Sequence, residues 1–146
     1  LSIRIGIGNA TSGGSNYYAY ETIEIGCSST ITNLTIEIFV QLSSGATYLD
    51  QSTSIPSSIV TASHTTTATQ IIYTWTIISG QVLNCVAATY NLAARFTLYG
   101  IPQNTSLDTY IITTTTSSGT TTVFTGISNQ HFIFIYDQTA KQTNIF

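Results

Sequence analysis

Charged residues are scarce in this sequence of 146 residues. Asp, Glu, Lys and Arg together make up 6% of it, whereas roughly 25% is usual for a soluble domain. Three Lys plus Arg at a formal net charge of −3 cannot neutralise a phosphate backbone, so the composition excludes a nucleic-acid partner. Long apolar runs are also lacking. No stretch approaches the ~18 apolar residues of a membrane helix, so we expect no membrane span.

Side chains that carry out catalysis are few and scattered. The sequence has six carboxylates, two histidines and two cysteines, and an active site needs several such groups to converge. His64 lies in a Thr-rich run and His131 opens an aromatic segment; neither belongs to a Ser/His/Asp pattern, and we interpret both as surface polar residues. Neither the pair Glu21 and Glu24 nor the isolated Asp108 indicates a metal site. We therefore expect no enzyme, no metal and no other cofactor.

Methionine is absent, and the sequence begins at Leu1. We expect Leu1 to follow a cleaved signal peptide. Three N-x-[ST] sequons, at Asn9, Asn33 and Asn104, predict N-linked glycans. The signal peptide and the sequons both predict an extracellular location.

Two cysteines, Cys27 and Cys85, both lie in segments with strand character. In a secreted protein they predict a disulfide. It would close a loop of about 58 residues and stabilise the fold by roughly 4 kcal/mol in the chain-entropy model. Two independent buried thiols are the alternative.

Ser, Thr and Ile take the place of the missing charges. The sequence contains 45 Ser plus Thr, 21 Ile and 9 Tyr, which is typical of β-sheets. Alternating or apolar segments predict strands at 1–8, 18–27, 34–42, 70–78, 82–92, 95–99, 110–116, 120–124 and 131–137. Turn residues between these segments favour an all-β sandwich with Greek-key connections. Residues 91–95 form one helical turn at most.

The N-terminal segment alternates strictly, with Leu1, Ile3, Ile5 and Ile7 on one face. A Gly/Ser-rich stretch at 9–16 follows and predicts a flexible joint before a sandwich domain at 17–146. Such a strand can fill a groove in the next copy of the chain, and head-to-tail repetition then builds a filament of identical subunits. The alternative is that residues 1–8 form the first strand of their own sandwich.

The low charge also has a consequence for acid stability. Protonating every carboxylate and both histidines changes the formal net charge from −3 to about +5, by the reference pKa values. Because few ionisations are linked to folding, we expect acid to have little effect on stability.

The features just described resemble the thread-type extracellular filament subunits of thermoacidophilic archaea. These features are the start at Leu1, the alternating strand through Ile7, the Ser/Thr/Ile/Tyr-rich body, the sequons and the scarcity of charge. Type IV pilins and archaellins are less similar, because they begin with a long apolar helix. The resemblance implies an immunoglobulin-like β-sandwich whose N-terminal donor strand completes the adjacent subunit, together with heavy N-glycosylation. We expect a filament at the cell surface with a role in adhesion or biofilm formation.

The same resemblance implies Lys–Asn isopeptide bonds. Lys141, the single lysine of the sequence, would form such a bond, and Glu21, Glu24 or Glu37 would assist the condensation if buried beside it. A solvated lysine in the tail is the alternative.

A secreted carbohydrate-binding module is the second interpretation, with cell-surface glycans as partners. Trp75 and a set of tyrosines would stack on sugar rings. The set is Tyr17, Tyr18, Tyr20, Tyr73, Tyr90, Tyr99 and Tyr110. Against this interpretation, Trp75 lies in a segment that is apolar on both faces, which predicts a central, buried strand.

Overall fold

The computed structural model describes residues 4–27, 29–84, 89–127, 133–136 and 143–144. For residues 4–13, 133–136 and 143–144 the description covers the backbone and its strand pairing. The strands within these residues are β1 (Arg4–Gly14), β2 (Tyr18–Cys27), β3 (Ile31–Gln41), β4 (Thr47–Thr53), β5 (Val60–Thr66), β6 (Gln70–Ile77), β7 (Tyr90–Thr97), β8 (Thr109–Thr116), β9 (Thr121–Ile127), β10 (Ile133–Tyr136) and β11 (Thr143–Asn144). Short 3-10 turns lie at Leu42–Ser44 and Thr105–Leu107.

The strands form two antiparallel sheets, so the predicted all-β class is confirmed. The first sheet has the order β11-β10-β1-β2-β7-β4, and the second has the order β5-β6-β3-β8-β9. Every strand pair described is antiparallel. The chain crosses from one sheet to the other after β2, β3, β4, β6, β7 and β9. These crossings give a β-sandwich-like architecture.

Period-two alternation places one face of each central strand in a shared core. On β3 the apolar residues at even positions are fully buried, as the sequence predicts, and on β6 those at odd positions are buried. The first sheet contributes apolar residues of β2 and β7 to the same core. The largest core side chains are Trp75, Tyr73, Tyr110, Phe96 and Phe124. The segment at 70–78 is thus the buried inner strand that the sequence predicts, with β5 and β3 on its two sides.

Hydrogen bonds between the sheets supplement this apolar core. The hydroxyl of Tyr73 on β6 donates to the backbone carbonyl of Arg95 on β7. The side-chain amide of Gln51 on β4 donates to the carbonyl of Thr74 on β6 at 3.4 Å. Burial raises the pKa of the Tyr73 phenol well above its usual range, so this hydroxyl remains a donor at physiological pH.

Nine of the strands have the same neighbours as the strands of an immunoglobulin variable-type sandwich, but β10 and β11 extend the first sheet and the chain visits the strands in a different order. If β1-β2-β7-β4 corresponds to A-B-E-D, then β9-β8-β3-β6-β5 corresponds to G-F-C-C′-C″. However, β4 precedes β5 and β6 in the chain, whereas strand D follows C″ in the immunoglobulin fold. The immunoglobulin-like assignment therefore stays a prediction.

Three local predictions can be compared with the strands. The hairpin at 110–124 is confirmed, because β8 pairs with β9 across a turn in which Gly119 has φ +89°. The boundaries predicted at 82–92 and 95–99 are wrong, since one strand, β7, spans 90–97. Residues 91–95, for which one helical turn at most is expected, lie within the same strand. Strand β5 was not predicted. It carries exposed polar side chains over most of its length, so its sequence shows no alternation of apolar and polar residues.

Candidate functional site

The first part of β1 lies between two strands that are far apart in the sequence. Ile5 is opposite Cys27 of β2 on one side and Ile135 of β10 on the other, and Ile7 is opposite Ile25 and Ile133. The second part, Asn9 to Gly14, pairs with β2 alone. The ladder between β1 and β2 changes register between Ile7 and Asn9, at Gly8. Residues 4–7 thus occupy a slot between β2 and β10.

The predicted donor residues fall partly within the described chain. Ile5 and Ile7 belong to β1 and lie in the sheet of their own chain, whereas Leu1 and Ile3 lie outside the described residues. Strand β1 continues to Gly14, through most of the segment predicted as a joint at 9–16. The change of register at Gly8 coincides with the predicted boundary between the two segments, and the division into 1–8, 9–16 and 17–146 stays a prediction.

Cys27 ends β2 next to the slot. It is disulfide-bonded, and it packs against the hydrophobic core. Cys85 is the only other cysteine of the sequence and lies outside the described residues. The pairing of Cys27 with Cys85 therefore stays a prediction.

The sequon asparagines differ in how they are placed. Asn33 lies exposed on β3, directly after a change of register between Ile31 and Asn33. Asn104 is exposed and caps a 3-10 turn, where its side-chain oxygen accepts from the Ser106 hydroxyl at 2.6 Å. Asn9 lies in β1, where the backbone alone is described. A glycan at Asn33 or Asn104 would extend into solvent without disturbing the core.

Replacing either exposed asparagine is expected to remove one glycan. We expect Asn33→Gln and Asn104→Gln each to lower the mass of the protein made in its natural cells by one glycan, because both side chains are exposed. Intact-mass spectrometry measures the change. Asn16→Gln is the control, since Asn16 is exposed and lies outside any sequon. An unchanged mass in both sequon variants would contradict the prediction.

The residues assigned to the isopeptide bond have different environments. Glu21 on β2 is buried at 1% exposure, whereas Glu24 and Glu37 are half-buried. Lys141 lies outside the described residues, so the bond stays a prediction.

A buried polar cluster around Asp108 was missed from the sequence. Asp108, at 0% exposure, precedes β8. Its Oδ1 accepts from the Gln41 backbone N–H and from Gln103 Nε2, both at 2.9 Å, and its Oδ2 accepts from the same Gln103 nitrogen at 3.2 Å. Gln103 Nε2 also donates to the Gln41 carbonyl at 2.9 Å. Glu21, from the opposite sheet, lies close enough to influence the pKa of Asp108.

Burial raises the pKa of Asp108 above its ordinary value, and the nearby Glu21 together with the hydrogen bonds from Gln41 and Gln103 offsets part of that rise. A signal for Glu21 was present in the sequence. Glu21 shares the parity of Ile23 and Ile25 along β2, and this parity marks the inner face. No comparable local signal points to Asp108.

The tyrosines proposed for sugar stacking differ in exposure. Tyr73 and Tyr110 are core residues, as is Trp75 at 0% exposure. Tyr20 and Tyr90 are half-buried. Tyr17, Tyr99 and Tyr18 are 69%, 68% and 36% exposed, so these three rings are the most accessible to a sugar.

The outer face of the first sheet presents polar groups beside Tyr18. Tyr18 is opposite Thr97 in the ladder, and Tyr20 is opposite Arg95. Arg95 donates to Asp50 Oδ1 and to the Ser52 hydroxyl, both at 3.0 Å. This surface therefore combines aromatic rings with hydrogen-bonding side chains.

His64 stacks on an aromatic ring at one side of the sandwich. Its ring centroid lies 3.5 Å from that of Tyr48, with an interplanar angle of 8°. His64 belongs to β5 and Tyr48 to β4, so the stack joins the edge strands of the two sheets. The prediction of an exposed polar His64 is confirmed, and His131 lies outside the described residues.

No helix among the described residues is long and apolar enough to cross a membrane. Comparisons of the chain with known protein families, with curated proteins and with solved structures find no match. The molecule is thus defined by its class, an all-β protein of two antiparallel sheets.

Proposed function

We propose that the chain is a structural subunit of an extracellular, glycosylated filament. Residues 1–8 of one copy would occupy the slot between β2 and β10 of the next copy, and the repeated contact would build a homopolymer. The observation that carries this proposal is the position of Arg4–Ile7, which pair with β2 on one side and β10 on the other. Adhesion or biofilm formation is the role proposed for the filament.

Exchange between copies would preserve the pairing of this segment. Without residues 4–7, the facing edges of β2 and β10 would expose unpaired N–H and C=O groups, which bind an added strand readily. Because all copies have the same sequence, a segment from another copy would restore the register that opposes Ile5 to Cys27 and to Ile135. An exchanged element of this kind makes the same contacts as the unexchanged one.

We propose that the exchanged segment leaves the sheet of its own chain at Gly8. The ladder with β2 changes register there, between Ile7 and Asn9. Beyond it, β1 pairs with β2 alone and ends at the Ser15 N–H to Tyr18 carbonyl hydrogen bond. Residues 9–14 can therefore remain paired with β2 of their own chain while residues 1–7 move to another.

The edges of the second sheet also favour assembly. Strand β5 is exposed from Thr61 to Thr66, and β9 exposes Val123 at 57%. Neither edge strand contains Lys, Arg, Asp, Glu or Pro, which are the residues that usually protect sheet edges. Neighbouring subunits or glycans would cover them.

Electron microscopy of the protein purified from its natural source tests the proposal. We expect filaments whose density places residues 1–8 of each copy between β2 and β10 of a neighbour. SDS electrophoresis after boiling, at neutral and acidic pH, would show ladders if covalent links join the subunits. A monodisperse monomer that keeps residues 1–8 in its own sheet would refute the proposal.

A carbohydrate-binding module is the second candidate, favoured by the exposure of Tyr17 and Tyr99 and by the polar groups beside Tyr18. Aromatic faces next to hydrogen-bonding side chains suit sugar rings. A monomer whose binding to polysaccharide in native affinity gels is lost in Tyr18→Ala and Tyr99→Ala would support this candidate.

A further inference from the structure

Strand β5 is an edge strand of the second sheet and pairs with β6 on one side only. Two backbone hydrogen bonds at its ends fix which of its groups face β6. The N–H of Ile78 donates to the carbonyl of Ile59 at 2.7 Å, and the N–H of Thr67 donates to the carbonyl of Gln70 at 2.8 Å. Between these two bonds the register of β5 with β6 has no interruption.

The backbone groups of β5 therefore alternate in direction. In an antiparallel ladder, hydrogen-bonded pairs of residues alternate with pairs that are not hydrogen-bonded. Ile59 and Thr67 belong to bonded pairs, so the odd-numbered residues between them also bond to β6. The N–H and C=O groups of Ala62, His64 and Thr66 point away from the sheet, and no described residue pairs with them. This edge is thus a backbone template that can bind an added strand.

We propose that β5 pairs with β5 of a second copy of the chain, antiparallel and with Ser63 opposite Ser63 across a twofold axis. Ala62 of each copy would then lie opposite His64 of the other, and each of these pairs would form two backbone hydrogen bonds. The second sheets of the two copies would join into one continuous sheet. The pairing goes beyond the head-to-tail contact of residues 1–8 and does not depend on it.

The side chains of β5 suit a second copy of the same strand. None of them is Asp, Glu, Lys or Arg, so two identical edges approach each other without repulsion between like charges of these residues. On the outer side, Ser63 would lie opposite Ser63, and Thr61 opposite Thr65; hydroxyl pairs of this kind stabilise antiparallel strands. His64 would lie opposite Ala62, so the two imidazole rings would not oppose each other.

The approach to this edge is open. All residues from 61 to 69 are exposed, and residues 55–83 contain no Asn, so no N-linked glycan is attached to β5 or β6. The ring of Tyr48 stacks on that of His64 from β4 of the other sheet. Because side chains stand roughly perpendicular to a sheet, this ring covers a face of β5 and leaves its edge accessible.

Cysteine cross-linking of the full chain tests the pairing. We expect Ser63→Cys to form disulfide-linked pairs of chains under oxidation by dissolved oxygen with a copper catalyst. The two side chains would be directly opposite each other in a pair without hydrogen bonds, where side chains are closest. Non-reducing electrophoresis measures the linked fraction, and a band counts as linked when reduction removes it.

Thr61→Cys is the matched control for Ser63→Cys. Thr61 is exposed on the same strand and on the same side, but in the proposed register it would lie opposite Thr65 and far from the other Thr61. We expect its linked fraction to be lower by about tenfold or more, because a disulfide cannot join cysteines at such a separation.

Ala62→Pro distinguishes the free edge of β5 from its pairing with β6. Proline lacks an N–H, and the N–H of Ala62 points away from β6, so the substitution keeps the ladder within the chain. In the Ser63→Cys chain it should lower the linked fraction by about tenfold or more, since each pair of chains loses two hydrogen bonds.

Ser63→Lys provides a second measurement if Ala62→Pro fails to fold. It would place two like charges opposite each other, which opposes the pairing. Electron microscopy or sedimentation should show paired wild-type filaments or chains and single ones in Ser63→Lys. Equal linkage in Thr61→Cys and Ser63→Cys, linkage that persists in Ala62→Pro, or wild-type filaments or chains that stay single would overturn the proposal. The cross-link forms between two free chains or between two filaments alike, so a failure to form filaments leaves this test valid.

Discussion

A chain that lacks residues 1–8 is expected to form no filaments. Removing them empties the slot between β2 and β10, where Arg4–Ile7 pair on both sides. The truncated chain should also unfold at a lower temperature, since it loses the part of β1 that pairs with strands on both sides in a six-stranded sheet. A synthetic peptide of residues 1–8, added during refolding, should raise the unfolding temperature again because it restores both ladders. Electron microscopy and thermal unfolding measure the two effects.

A matched peptide tests whether the apolar side chains of residues 1–8 are needed for binding in the slot. In the control peptide, Ile3, Ile5 and Ile7 are replaced by Ser, which keeps the backbone donors and acceptors but removes the apolar side chains. We expect the control peptide to leave the unfolding temperature of the truncated chain unchanged. Filaments formed by the truncated chain, or equal recovery with both peptides, would show that residues 1–8 are not the joining element.

The second large effect is expected in the core. Trp75→Ala should lower the free energy of unfolding by about 3–5 kcal/mol, the cost typical of removing a buried aromatic side chain. Trp75 is fully buried on β6, an inner strand of the second sheet. Urea unfolding at one fixed pH measures the loss.

Val123→Ala is the control for Trp75→Ala. Val123 lies on the edge strand β9 and is 57% exposed, so we expect a change within about 0.5 kcal/mol. A similar small loss in Trp75→Ala would mean that Trp75 does not lie in the core. It would also restore this residue as a candidate for sugar stacking.

The sequence predicts the strands whose two faces differ in polarity. Alternation of Ile and Val with Thr, Glu or Gln located β2 and β3, and the Ser-Ser-Gly turn located the β8–β9 hairpin. Strand β5 could not be found in this way, because its outward position at a sheet edge leaves His64 and its threonines exposed on both sides. The start of β7 was misplaced because runs of Ala do not distinguish the two faces of a strand.

The polar cluster could be predicted only in part. The parity of Glu21 along β2 indicates the inner face, but its proximity to Asp108 depends on how one sheet packs on the other. That packing joins residues 87 positions apart in the numbering, and no local pattern encodes it. The slot for residues 4–7 is equally non-local, since β10 lies near the other end of the chain.

The antiparallel ladders on both sides of Arg4–Ile7 have a mechanical consequence. Their hydrogen bonds lie perpendicular to the strand. A pull along the axis of β1 therefore loads the bonds to β2 and to β10 in shear, so that they must break together. The arm from Asn9 to Gly14, in contrast, forms a hairpin with β2 and would unzip one bond at a time if its ends were drawn apart. A filament joined through residues 1–8 would thus carry tension along the direction in which a strand resists extraction most strongly.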